Sequence, residues 1–103
     1  MKHLFDRNEC FEYAIWGCGL IGNNAYTIMN DLYPKAKLKV AIDEYKSGTR
    51  KNVKIIKSSQ IEKTDSCFII IATYSGYQQA LRIMKKLGKE DSKDYIYIGT
   101  ING

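Results

Sequence analysis

Three glycines and one acid make the pattern in this chain that chemistry can be built on. In YAIWGCGLIGNNAYTIM, residues 13–29, Gly17, Gly19 and Gly22 fit G-x-G-x-x-G between a short apolar run and a stretch with helical spacing. Asp43 follows at the end of the next apolar segment. Glycine at these positions suits a backbone that must receive phosphate. Gly17 permits a tight turn off a strand, Gly19 has no side chain to hold a pyrophosphate away, and Gly22 lets a helix pack closely on the sheet. The free N–H groups of the first helical turn and the positive end of the helix dipole then face the phosphates.

Cys18, Leu20 and Ile21 complete that turn, so residues 17–22 form the candidate phosphate cradle. At the carboxyl end of a second strand, Asp43 is placed to accept bonds from an adenosine ribose, which favours NAD over NADP. Lys46 and Arg50 stand close enough in sequence to receive a 2′-phosphate instead, and a sugar nucleotide such as a UDP-sugar is a further ligand class. The bland alternative is a glycine-rich turn that binds nothing, with Asp43 capping a loop. Other phosphate motifs fit worse: a P-loop needs Gly-Lys-Ser/Thr, and this chain has Gly22-Asn23-Asn24. A methyltransferase turn usually carries an acid just before its first glycine, where Ile15 and Trp16 stand.

Groups for catalysis are few. His3 is the one histidine and lies in a polar arm; Tyr33 and Lys37 have Tyr-x-x-x-Lys spacing, but Pro34 separates them and they precede the second strand. Cys18 at a helix N-terminus has the setting that lowers a thiol pKa, against the plainer reading of a small residue that fits a turn. Asn23 and Asn24 are polar side chains in the first helical turn. Tyr77 falls on an apolar stripe and reads as core. No complete catalytic set emerges and no metal-ligand spacing is present, so a binding role is expected and an enzymatic one is left open.

The elements that must position these residues are read from periodicity. YAIWG (13–17) is a buried strand; Ile21, Ala25, Ile28, Met29 and Leu32 mark one helix face, stopped near Tyr33 by Pro34. KLKVAID (37–43) alternates as a strand, EYKSGTRKN reads as a loop, VKII (53–56) as a short strand, and SSQIEKTD as one helical turn or an irregular connection. CFIIIAT (67–73) is apolar on both faces, as central parallel strands are. A capping box at Ser75 and Gln78 opens a second helix, closed by Lys85, Lys86 and Gly88, and DYIYIG (94–99) is the last strand. This alternation predicts an α/β fold: a three-layer, Rossmann-like arrangement of about five parallel strands in order 3-2-1-4-5 with helices on both faces.

At 103 residues the chain reads as a single domain, residues 1–103. Nothing approaches a membrane span or the apolar core of a signal peptide, and the three cysteines match no disulfide scaffold, so a cytoplasmic setting is expected. The net charge of +5 includes a cluster at Lys46, Arg50, Lys51, Lys54 and Lys57. Without interleaved aromatics that cluster reads as a solvated face and not as a nucleic-acid patch. The edge strand at DYIYI offers a surface for a homodimer.

Taken together, YAIWGCGLIGNNAYTIM, VAIDEY, NVKII, CFIIIATYSGYQQALRIMKKLG and KDYIYI resemble the small Rossmann-like domains attached to bacterial polysaccharide-biosynthesis enzymes, over about Tyr13 to Ile98. Such domains accompany glycosyltransferases, FkbM-type methyltransferases and nucleotide-sugar epimerases or dehydratases. The resemblance implies that Gly17, Gly19 and Gly22 hold phosphates, that Asp43 meets the ribose, and that Thr73 and Tyr74 flank the same crevice. It implies an accessory nucleotide-binding module of a glycan-biosynthesis enzyme. The alternatives are a fragment of an NAD-dependent sugar-nucleotide oxidoreductase or epimerase, and a ligand-free interaction domain. Cys18 departs from the small alanine usual there, and these 103 residues hold no catalytic region of such an enzyme, as expected of a domain excised from a longer chain.

Overall fold

Apolar runs with β-branched residues fold as strands here, and the three-and-four patterns fold as helices. The computed structural model describes residues 6, 8–64, 67–73 and 76–98. In chain order it contains β1 (Glu12–Trp16), α1 (Leu20–Leu32), β2 (Lys37–Ile42), β3 (Thr49–Arg50), β4 (Val53–Ile56), a 3₁₀ helix (Ser58–Thr64), β5 (Phe68–Ile71), α2 (Tyr77–Lys86) and β6 (Tyr95–Tyr97). The sheet order is β3-β4-β2-β1-β5-β6. All pairings are parallel except that of β3 with β4. The five parallel strands therefore take the 3-2-1-4-5 order that the sequence predicts.

Both faces of the sheet are covered, which is why β1 and β5 read as unbroken apolar runs. On one face Tyr13, Ile15 and Ile70 pack with Ala25 and Met29 of α1 and with Tyr33. On the other, Ala14, Trp16, Ile69 and Ile71 pack with Ala80 and Met84 of α2 and Ile61 of the 3₁₀ helix. Tyr77 joins that second cluster and stacks on Tyr97 with ring centroids 4.7 Å apart. Its place on the apolar stripe is thus a packing role.

Three details differ from the sequence reading. The segment read as a loop contains β3, an edge strand that turns back on β4 through Lys51 and Asn52, both with positive φ (53° and 67°). Two consecutive left-handed residues are the geometry of a type I′ hairpin, which matches the twist of the flanking strands. The connection at 58–64 is helical, as one of its two readings had it, but as a seven-residue 3₁₀ helix longer than a single turn. At α2 the N-cap is Gly76 with no side-chain cap, one residue later than the capping box requires, and Ser75 lies outside the described residues. The α1 helix ends as expected, with Tyr33 at the C-cap at φ −133° and ψ 78°, outside the helical region that Pro34 disfavours in its predecessor. Among the described residues no helix is long and apolar enough to cross a membrane.

Candidate nucleotide site

The end of β1 is pinned from both sides. The Gly17 N–H donates to the Ile42 carbonyl of β2 at 2.7 Å, and the Ala72 N–H beyond β5 donates to the Trp16 carbonyl at 2.8 Å. The chain then leaves the sheet between its two central neighbours, where the connections of a doubly wound sheet diverge and a crevice opens.

Each glycine in the turn has a distinct physical setting. Gly17 has φ +120°, and a Cβ there would fall 2.4 Å from the Ala72 carbonyl oxygen and 3.2 Å from Thr73 Cβ. A Cβ at Gly22 would lie 2.0 Å from the Gly17 carbonyl oxygen, so the helix packs against its own entry turn as well as on Ile15 of the sheet. Both positions are closed to any side chain. Gly19 is different: its φ is −96°, and a Cβ there would meet nothing within 4 Å. Neither packing nor a left-handed backbone requires glycine at 19.

Gly19 is the N-cap of α1, and no side chain caps the helix. The first intrahelical bond runs from the Asn23 N–H to the Gly19 carbonyl at 3.0 Å. The amides of Leu20, Ile21 and Gly22 precede that bond, and no acidic residue stands in the first turn to meet their partial positive charge. Leu20 is 67% exposed and Gly22 is buried.

Asp43 lies at the predicted place, but its carboxylate is engaged within the protein. Oδ2 accepts from the Cys18 N–H at 3.0 Å, and Oδ1 accepts from the Tyr45 and Lys46 N–H groups at 2.8 and 2.9 Å. Partial burial works to raise its pKa, but the three backbone N–H groups and the Lys46 ammonium outweigh that and hold it below its ordinary value. The same segment grips the turn a second time, because Lys46 Nζ donates to the Cys18 carbonyl at 3.1 Å. Lys57 Nζ holds the segment in turn, donating to the Glu44 and Lys46 carbonyls at 3.1 and 2.8 Å.

Cys18 is buried and packs with Ala41, Ile55 and Val53. Burial first, and the Asp43 carboxylate after it, push its thiol pKa up against the opposing pull of Arg50 and Lys46. A thiol of this kind is a packing group and a poor nucleophile. Thr73 is half-buried beside Gly17, so it does flank the turn; Tyr74 and His3 lie outside the described residues. Tyr33 is buried at the C-terminal end of α1, the opposite end of the helix from the glycine turn, and Lys37 is exposed.

The hairpin brings residues to the site that the strand-and-helix reading left on a solvated face. The Arg50 guanidinium donates to Asn23 Oδ1 in the first turn of α1, and Lys51 Nζ stands 5.1 Å from the centre of the Tyr26 ring. A shallow cleft runs between α1 and the hairpin, with Gly22, Asn23, Tyr26, Ala41, Arg50 and Lys51 among its lining residues. Tyr26 and Lys51 carried no functional signal in the sequence, since one sits at an ordinary helical position and the other in a polar run.

No protein-family model matches the sequence, and no curated protein matches it. Among solved structures, the one described as the crystal structure of RSP, a Rex-family repressor, is similar, with a TM-score of 0.62 at 13% sequence identity. The match covers 86% of this chain and 52% of that one, so this chain spans about half the length of the repressor. At that identity the likeness establishes a shared Rossmann-like α/β fold.

Proposed function

We propose that this domain binds a nucleotide through its diphosphate, seated on the amides that open α1, with an NAD-type dinucleotide as the first candidate and a UDP-sugar as the second. Gly19 carries the proposal. Gly17 and Gly22 are required by the fold itself, whereas Gly19 faces open space at an uncapped helix N-terminus, where Asn, Asp or Ser would cap at least as well. A ligand that must approach the backbone closely accounts for glycine there. The module has no complete catalytic set of its own. The motif resemblance points to an accessory role for it in glycan biosynthesis, in a cytoplasmic setting.

Thermal denaturation of the wild type and of Gly19→Val with NAD, NADP, a UDP-sugar, S-adenosylmethionine and CoA tests this reading. A ligand at a hundredfold its Kd stabilises by about 2.7 kcal/mol, which in a domain this small raises Tm by roughly 10–20 °C. The expected result is a rise with a diphosphate-containing nucleotide in the wild type and none in Gly19→Val, whose own Tm falls by only the several degrees that a lost N-cap residue costs. A flat response across all five compounds contradicts it and favours the ligand-free interaction domain.

A further inference from the structure

The outward face of α2 consists of hydrogen-bond donors and cations. Its exposed side chains are Gln78, Gln79, Arg82, Lys85 and Lys86, and the helix holds no acid. Lys85 and Lys86 follow Arg82 at three and four residues, where side chains are neighbours on a helix and like charges oppose one another. Lys89 adds a fourth cation just past the C-cap. Among the described residues the ion pairs are Lys39 with Glu12 and Lys93 with Glu90, so none of these four cations is paired. The acids of the following turn are engaged elsewhere: Glu90 with Lys93, Asp94 Oδ2 with the Glu90 N–H at 2.8 Å, and Asp91 Oδ1 with the Ser92 hydroxyl at 3.4 Å. The hairpin side differs, because Lys46, Arg50 and Lys57 each donate to an oxygen of the chain. The negative end of the helix dipole favours Lys85 and Lys86 in the last turn of α2. It gives no reason for Arg82, and the first turn, where the dipole favours acids, holds Gln78 and Gln79 instead.

We infer that this face docks on the phosphate backbone of a nucleic-acid duplex. Charge complementarity selects a polyanion, and what the face lacks selects among polyanions. A protein partner is gripped by aromatic and other apolar anchors, and lysine is depleted in such interfaces. No apolar side chain stands among the five. A lipid surface holds a basic helix by its apolar side, but here Ala80 and Met84 are buried and Tyr77, Leu81 and Ile83 pack against the same core. Single strands are held by stacking bases on exposed rings, whereas Tyr77, the ring on this helix, stacks on Tyr97. A duplex asks only for donors and positive charge. It presents about one negative charge per 1.7 Å of its axis, and α2 meets it with a row about 15 Å long. Contacts of this kind fix position without reading base sequence. The inference is independent of the nucleotide reading, because α2 covers the face of the sheet opposite α1.

Fluorescence anisotropy of a labelled DNA duplex of roughly 20 base pairs tests the inference on the whole chain, between about 25 and 200 mM salt. Duplexes of unrelated sequence should bind alike. The logarithm of the binding constant should fall against that of salt with a slope of about −3, for three or four phosphates neutralised. Arg82→Gln should flatten that slope by about 1. The triple variant Arg82→Gln/Lys85→Gln/Lys86→Gln should lose roughly tenfold or more of the affinity at the lowest salt. A second triple variant, Lys35→Gln/Lys37→Gln/Lys54→Gln, removes the same charge from exposed positions off α2 and should bind close to wild type. Both triple variants replace exposed side chains alone, and circular dichroism should find both folded. Equal losses in the two triple variants would trace binding to net charge alone and overturn the face. Absence of duplex binding at the lowest salt overturns it as well, including the case where phosphatidylserine vesicles or a poly-glutamate peptide bind instead.

Discussion

Asp43 shows how one side chain can be legible in position and illegible in role. Its place at the end of β2 follows from the alternation of KLKVAID, which puts a polar residue just where the apolar strand stops. Its partners do not follow, because they are backbone N–H groups, one from the turn 25 residues earlier and two from the loop after it. These bonds make Asp43 the tie between the glycine turn and the β2 loop. Its folded-state pKa is held below the ordinary 3.8. A carboxylate depressed in this way contributes stability that is fully present above the unfolded value and lost as pH falls through the folded one. Urea denaturation from pH 6 downward should therefore show stability falling below about pH 4, partly through Asp43. Asp43→Asn should cost about 1–3 kcal/mol at pH 6 and show a shallower fall in acid. An unchanged acid profile in Asp43→Asn would mean that the tie contributes nothing.

At the scale of elements, the glycine turn and the hairpin divide the lesson. Strand, turn and helix at 12–32 could be read because an apolar run, three glycines and a helical stripe agree, and because Pro34 fixes the stop. The division of labour among the glycines could not be read from the hexapeptide. It depends on the Ala72 carbonyl from β5 and on the Gly17 carbonyl, whose closeness only the folded turn creates. Gly22→Ala should destabilise the domain by about 2–3 kcal/mol in urea, because the new methyl meets a backbone oxygen that cannot turn aside. Gly17→Ala should do so as well, from its left-handed φ and the same crowding. Gly19→Ala should cost less, about 0.5–1 kcal/mol, the loss of a favoured N-cap residue. Equal costs at all three positions would contradict these assignments. The hairpin escaped the sequence because β3 is two polar-flanked residues and its turn is Lys51-Asn52, without the Asn-Gly or Asp-Gly that usually announces a type I′ turn. Missing the hairpin meant missing the approach of Arg50 to Asn23 and Lys51 to Tyr26.

For the whole molecule, a parallel sheet wound on both faces concentrates opportunity at the carboxyl ends of its central strands. Here β1, β2 and β5 bring Gly17, Asp43 and Thr73 to one edge from three separate parts of the chain. The fold and the central place of the glycine turn were legible because strand alternation and the glycine pattern point the same way. The sequence sets Lys46 and Arg50 near Asp43, but the contacts of Arg50 and Lys51 with α1 were not legible, since they are made by a hairpin that periodicity does not reveal. The measurement that bears most directly on the account is a 1H–15N titration of the intact chain with NAD and with NADP. The account predicts that the largest shifts fall on the backbone amides of Gly19, Leu20, Ile21 and Gly22. Saturating ligand that leaves those four amides unmoved, whether or not it moves others, would contradict it.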